Sequence, residues 1–166
     1  MNQVDLCEAI ASKIAALWPD RMIYRDFCPA DFRRPSSFLY VTEAGFTSAG
    51  IAVVLWNVEA ELELFCATDD YDEQSTEELR QNQAAALEAF GDPHLIVGDR
   101  AVQISAVADG SGPGVAYIRF TSSWYDQRPG YHDIHDPDDP VTKETPLMED
   151  YELLVNASEE GESYGT

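Results

Sequence analysis

The sequence predicts an α+β fold: an N-terminal helix, an antiparallel or mixed sheet with a long hairpin, a second helix packed on the sheet, and a C-terminal extension. Three observations carry this. Val58, Ala60, Leu62 and Leu64 alternate with Glu59, Glu61 and Glu63, the period-2 pattern of a strand with one apolar face. Val4, Cys7, Ile10, Ala11, Ile14, Leu17 and Trp18 recur at three- and four-residue steps, the pattern of an amphipathic helix. Strand-like segments then follow one another with only short turns between them, which favours hairpins over a helix-alternating parallel sheet.

Taken in order, the first helix covers residues 3–18, and Pro19-Asp20 ends it. Met22 to Phe27 reads as a short edge strand. CPADFRRP follows as a loop, since Pro35 bars a continuous helix. SFLYVTE, Ser37 to Glu43, is a second strand with Phe38, Tyr40 and Thr42 on one face, and Ala44 to Gly50 reads as a glycine-bearing turn. Ile51 to Ala67 is the long strand, about three times the usual length of 5–6 residues, which predicts a hairpin projecting beyond a small body. Three glutamates on one strand face repel one another, and glutamate is a poor strand former. A sheet, a neighbouring subunit or both must hold that strand. Ser75 and Glu78 have capping-box spacing for a second helix, with Leu79, Ala86, Leu87 and Phe90 as its apolar face and Gly91-Asp92-Pro93 as its stop. Leu95 to Val97, Ala101 to Ala108 and Val115 to Tyr125 complete the strands, with DGSGPG turning between the last two.

This gives a domain over residues 1–125 and an acidic, proline-containing extension over 126–166. The extension carries twelve acids against two bases, a composition that does not fold alone. Its apolar island, Tyr151, Leu153, Leu154 and Val155, is a candidate docking segment for a sheet edge or a groove.

With 31 acids against 10 bases the formal net charge is −21 in 166 residues. That argues against phosphate-backbone binding, which needs clustered Lys and Arg. It fits a surface that repels nucleic acid or one that imitates it. Cys7, Cys28 and Cys66 are far apart and lack ligand spacing, so they read as reduced thiols. The first fourteen residues have neither the basic nor the apolar region of a signal peptide, and no stretch is apolar for the ~20 residues a membrane span needs. The expectation is a protein made in the cytoplasm, with no membrane partner.

Candidate chemistry is sparse. His132, Asp133, His135, Asp136, Asp138 and Asp139 supply imidazoles and carboxylates that suit a divalent metal, but an acidic linker offers no scaffold to fix their geometry. Asp69, Asp70, Asp72 and Glu73 lack the glycine and terminal glutamate of a calcium loop. There is no GxSxG elbow, and a Cys28–His94 pair has only its residue types in favour. The glycines of DGSGPG lie between strands, so they form no phosphate cradle. The expectation is no enzyme, no metal and no cofactor. Arg33 and Arg34, an adjacent basic pair in an acidic chain, suit either a local salt bridge or a contact between subunits.

The short Ile23-Tyr24 strand after the first helix, the FRRPSSF segment from Phe32 to Phe38, the long strand, the second helix and the terminal hairpin together resemble the tail terminator (tail completion) proteins of long-tailed phages and related prophages. The resemblance covers roughly residues 3–125 and not the acidic extension. It implies a structural virion protein in the neck region of the tail, made in the host cytoplasm. It implies a homo-oligomer, typically a hexameric ring, that stops tube polymerisation. Its partners would be the tail tube protein and a head-completion or connector protein. DNA would pass through the ring without specific binding. On this reading Glu59, Glu61 and Glu63 face a lumen or an interface, and Arg33 and Arg34 meet a neighbour. The competing expectation from net charge is an acidic DNA mimic that inhibits a nucleic-acid-binding partner.

Overall fold

The computed structural model describes residues 1–68, 74–133, 135, 136 and 138–144. The chain divides into two compact units, Met1–Pro129 and Gly130–Thr166. The first is an α+β fold whose six strands run in the order β1-β2-β3-β6-β5-β4. These are β1 (Met22–Arg25), β2 (Ser36–Ser48), β3 (Val53–Phe65), β4 (His94–Val97), β5 (Arg100–Ala108) and β6 (Val115–Gln127), with helices α1 (Gln3–Leu17) and α2 (Thr76–Ala89). β1 pairs with β2 in parallel, and every other pairing is antiparallel.

Both helices start at side-chain caps that satisfy N–H groups with no partner inside the helix. Asn2 accepts from the Val4 and Asp5 N–H groups, while Asp5 accepts in return from the Asn2 N–H. Ser75 Oγ accepts from the Glu78 N–H at 3.2 Å.

The alternation of β3 decides the layering. Val58, Ala60, Leu62 and Leu64 join one hydrophobic core with Leu6, Ile10 and Ile14 of α1 and Leu79 and Ala86 of α2. Both helices therefore cover the same face of the sheet. Facing them from β2 and β6 are Leu39, Ile118 and Phe120, each within 1% of full burial, placed by the pairings Leu39↔Leu62↔Ile118 and Ala60↔Phe120.

Two boundaries differ from the sequence reading. The segment from Ala44 to Ser48 continues β2 rather than turning, because it pairs with β3 from Ala44↔Val58 to Ser48↔Val54. Gly45 is tolerated there because it lies on an open stretch, with nothing within 4 Å of a would-be Cβ, so the cross-strand ladder outweighs its weak strand preference. The turn thus falls at residues 49–52. Arg128 holds it, donating to Ile51 O at 2.9 Å, Ser48 Oγ at 2.7 Å and Gly50 O at 2.8 Å. Since Asp126, Gln127 and Arg128 are tied into the sheet in this way, the first unit extends to Pro129, past the expected limit at Tyr125.

In the second unit the described residues include a short helix, α3 (Pro140–Glu144). Among the described residues no helix is long and apolar enough to cross a membrane.

Candidate functional site: the acidic face of the sheet

The sheet face away from the helices carries the odd-numbered residues of β3. Glu59, Glu61 and Glu63 stand on it in a row, with successive carboxylate-bearing positions about 7 Å apart by strand geometry. Their neighbours follow from register. Glu63 lies between Phe38 and Tyr117, Glu61 between Tyr40 and Arg119, and Glu59 between Glu43 and Thr121. A β-bulge between Val41 and Glu43 puts two β2 residues against one of β3, so Glu43 faces the same side as Glu59. The row is therefore extended by a fourth acid.

The face is not simply wet. Phe38, Tyr40 and Tyr117 stand beside the row, and all three glutamates are half-buried. The Tyr40 hydroxyl donates to Glu61 at 2.5 Å and lies 3.2 Å from Glu63, bridging two carboxylates that would otherwise only repel. Burial, that hydrogen bond and the two negative charges push the Tyr40 phenol well above its ordinary range, so it stays protonated and remains a donor. Burial also raises the Glu63 carboxyl, with the Glu61 charge adding to the rise and the Tyr40 hydrogen bond opposing it. Tyr117 is raised by burial and by the charges of Glu63 and Glu61.

Arg119, the one base in register with this row, turns its guanidinium to Asp109. Its pKa is raised chiefly by that bond, with smaller contributions from Glu59 and Glu61. The row thus keeps its negative excess.

Arg33 and Arg34 are adjacent in sequence and separate in role. Arg34 is half-buried, its guanidinium 4.7 Å from the Phe32 ring centroid and 5.2 Å from that of Phe65. It donates to Cys66 O at 3.5 Å and Gly114 O at 3.4 Å, and so ties the end of β3 to the start of β6. Gly114 has φ 71° and a would-be Cβ 1.3 Å from Gln74 Oε1, so no other residue fits there without displacing Gln74. Arg33 has an exposed side chain, and its N–H donates to the Tyr24 hydroxyl at 3.0 Å. Arg34→Ala is therefore expected to lower stability by about 2 kcal/mol, through lost hydrogen bonds and cation–π contacts. Arg33→Ala should change it by less than about 0.5 kcal/mol. Urea unfolding of the two variants side by side checks this.

The remaining candidates do not converge. Cys28 lies in the loop leaving β1 and His94 opens β4, at opposite edges of the strand order. The Cys28 thiol is pushed up by burial and by Glu63, with Arg34 opposing, so it is poorly set up as a nucleophile. Burial likewise raises Cys7. His132 Nδ1 lies 3.2 Å from Asp139, and the His135 N–H donates to Asp133 at 2.9 Å. Among the described residues no group of three or more His, Cys, Asp or Glu is placed to hold a metal. Asp69, Asp70, Asp72 and Glu73 lie outside the described residues, as do Tyr151, Leu153, Leu154 and Val155.

Two features escaped the sequence reading: the Tyr40 bridge and a groove between α1 and the β4–β5 turn. The first could have been suspected from the tyrosine at the centre of SFLYVTE. The second depends on pairing of distant segments. No family model and no curated protein matches this chain.

Proposed function

We propose that the protein is a structural subunit that caps a phage-type tail tube as a ring, probed most directly by its ability to form closed rings. In this reading six copies close around the tube end, stop its polymerisation and offer a surface to a head-completion protein. One observation carries the proposal. A row of half-buried carboxylates stands on a sheet face that neither helix covers, beside tyrosines and a single arginine that pairs elsewhere with Asp109. A wall of this kind suits DNA in transit, because attraction at each phosphate would retard it. It also suits a subunit boundary, where aromatic side chains gain contact area. Catalysis plays no part in this reading.

The same row favours one other reading. Carboxylates evenly spaced on a rigid strand are what a DNA mimic requires, and here they stand on the sheet rather than in the extension. The experiment that separates the two is electron microscopy of the full chain, alone and with assembled tail tubes, beside native mass measurement. Closed rings with a central opening, or rings formed only on tube ends, are expected. A chain that stays monomeric with tubes present and displaces duplex DNA from a DNA-binding protein would overturn the ring in favour of the mimic.

A further inference from the structure

The two edges of the sheet differ in chemistry. At one edge β4 turns into β5 through Gly98-Asp99, with Gly98 at φ 62°, the positive value a two-residue hairpin needs. The pair flanking such a turn, Val97↔Arg100, is hydrogen-bonded. Bonded and non-bonded pairs alternate from there, and the Ile104 N–H donating to Pro93 O at 3.1 Å continues that alternation. Leu95 and Val97 therefore spend their backbone groups on β5, whereas His94 and Ile96 turn theirs outward. On the faces of the sheet, Ile96 is 66% exposed while Leu95 and Val97 are buried.

Beside this edge runs a groove of about 600 Å³, with Ile96 and Asp99 on the strand side and Asp5, Glu8 and Ser12 of α1 on the other. β4 has four residues, so the slot suits an extended segment of about four residues at roughly 3.3 Å each. Its lining holds three acids, Asp5, Glu8 and Asp99, against Arg100 and the Met1 ammonium, both of which bond Asp126. The Glu8 side chain stays 65% exposed although it bonds Arg25 of its own chain.

At the other edge is β1, paired among the described residues on one side only. It belongs to the one basic stretch of this acidic chain: residues 21–34 hold Arg21, Arg25, Arg33 and Arg34, four of the ten bases, against two acids. Met22 and Phe27 beside it are 48% and 74% exposed.

We propose that the β4 edge and its groove accept the β1 edge of a second copy of this chain, joining subunits head to tail through a shared sheet. Main-chain hydrogen bonds supply affinity in such strand addition, and the exposed Arg33 beside one edge answers the acids Asp5, Glu8 and Asp99 of the other. In a chain of net charge −21, self-association needs a contact that brings bases to acids, and β1 is the element that offers it. The segment 151–155 is a poorer occupant, since Glu149, Asp150 and Glu152 would face the same acids. The contact is heterologous, so it closes into a ring or continues as a filament. It rests on the ring reading for its closure and not for its existence.

The test is disulfide trapping in the full chain with Cys28→Ser. Met22→Cys combined with Ile96→Cys, or with His94→Cys, is expected to give cross-links between chains on mild oxidation. Ile96→Pro removes only an outward N–H, which an edge strand tolerates. It should weaken association about tenfold, the worth of one good hydrogen bond, with unchanged thermal unfolding of the dilute chain. Unaltered association of Ile96→Pro would overturn the contact. So would a disulfide formed within one chain by the Ile96→Cys and Leu153→Cys pair, or a chain that stays monomeric and uncross-linked at all concentrations. Rings lacking the cross-links between chains overturn the edge contact and leave the ring standing. Cross-linked open chains without rings keep the contact and overturn the ring.

Discussion

Leu62→Ala is expected to destabilise the fold by about 3 kcal/mol, within the 2–5 kcal/mol range for leucine truncation in a core that cannot collapse. Leu62 is fully buried at the centre of β3, between Leu39 of β2 and Ile118 of β6. The sheet fixes both neighbours in place, so the cavity stays open. A loss of this size is a large share of the 5–15 kcal/mol that holds a typical domain together, and corresponds to roughly 10 °C in melting temperature. The informative control is the next residue. Glu61→Ala faces the other way, loses the Tyr40 hydrogen bond and removes a like charge, so its net change should stay within about 0.5 kcal/mol. Urea unfolding with unchanged m-values is the measurement. Equal losses at the two positions would mean that the acidic face is packed against something in the free chain, contrary to the layering described above.

The contrast between Leu62 and Glu61 is also the part of the fold most legible in the sequence. Strict alternation from Val58 to Leu64 fixes which side chains face inward, because strand geometry leaves no other option. The first helix face was legible in part for the same reason: Cys7, Ile10, Ala11 and Ile14 of the expected stripe are buried, whereas Val4 is 57% exposed and the buried Leu6 lies off that stripe. The turn of the long hairpin was misplaced because Gly45 and Gly50 give the same local signal. Only Gly45 pairs, with Asn57 of β3, and pairing is a property of two segments. The parallel placement of β1 beside β2 and the order that puts β6 next to β3 depend on contacts across much of the chain, which no local pattern encodes. The candidate site divides along the same line. The acidic row could be read from β3 alone, whereas its partial burial by Tyr40 and Tyr117 required the register of three strands. The Arg33-Arg34 pair stood out by composition, but backbone direction after Phe32 decides which arginine folds onto Cys66 and Gly114 and which meets solvent.

Replacing Glu59, Glu61 and Glu63 together by glutamine is expected to separate stability from assembly. Each strand neighbour repels the next, and removing like charges on one sheet face is worth about 0.2–1 kcal/mol per contact. The triple variant should therefore be more stable than the wild type at pH 7 by roughly 1 kcal/mol, with glutamine still able to accept from the Tyr40 hydroxyl. The pH dependence has a definite sign. Burial, helped by the Glu61 charge and opposed by Tyr40, holds the Glu63 carboxyl above its ordinary range, so the folded state binds that proton more tightly than the unfolded state does. Glu63 then costs stability at neutral pH. The cost fades as pH falls through its raised pKa, and the gap between variant and wild type should close by about pH 4, where carboxylates protonate anyway. Asp126 runs the other way and is untouched by the substitutions. Burial pushes it up, but the Gln127 N–H, the Met1 ammonium and Arg100 outweigh this and hold it low, so its stabilisation is present at neutral pH and lost in acid in both proteins. Ring formation or tube capping should be impaired in the triple variant despite its greater stability, since a neutral face neither repels DNA nor matches a charged neighbour. A triple variant that is less stable at pH 7 would make the row a structural device of the free chain. One that is more stable and assembles normally would remove the acidic face from the proposed function.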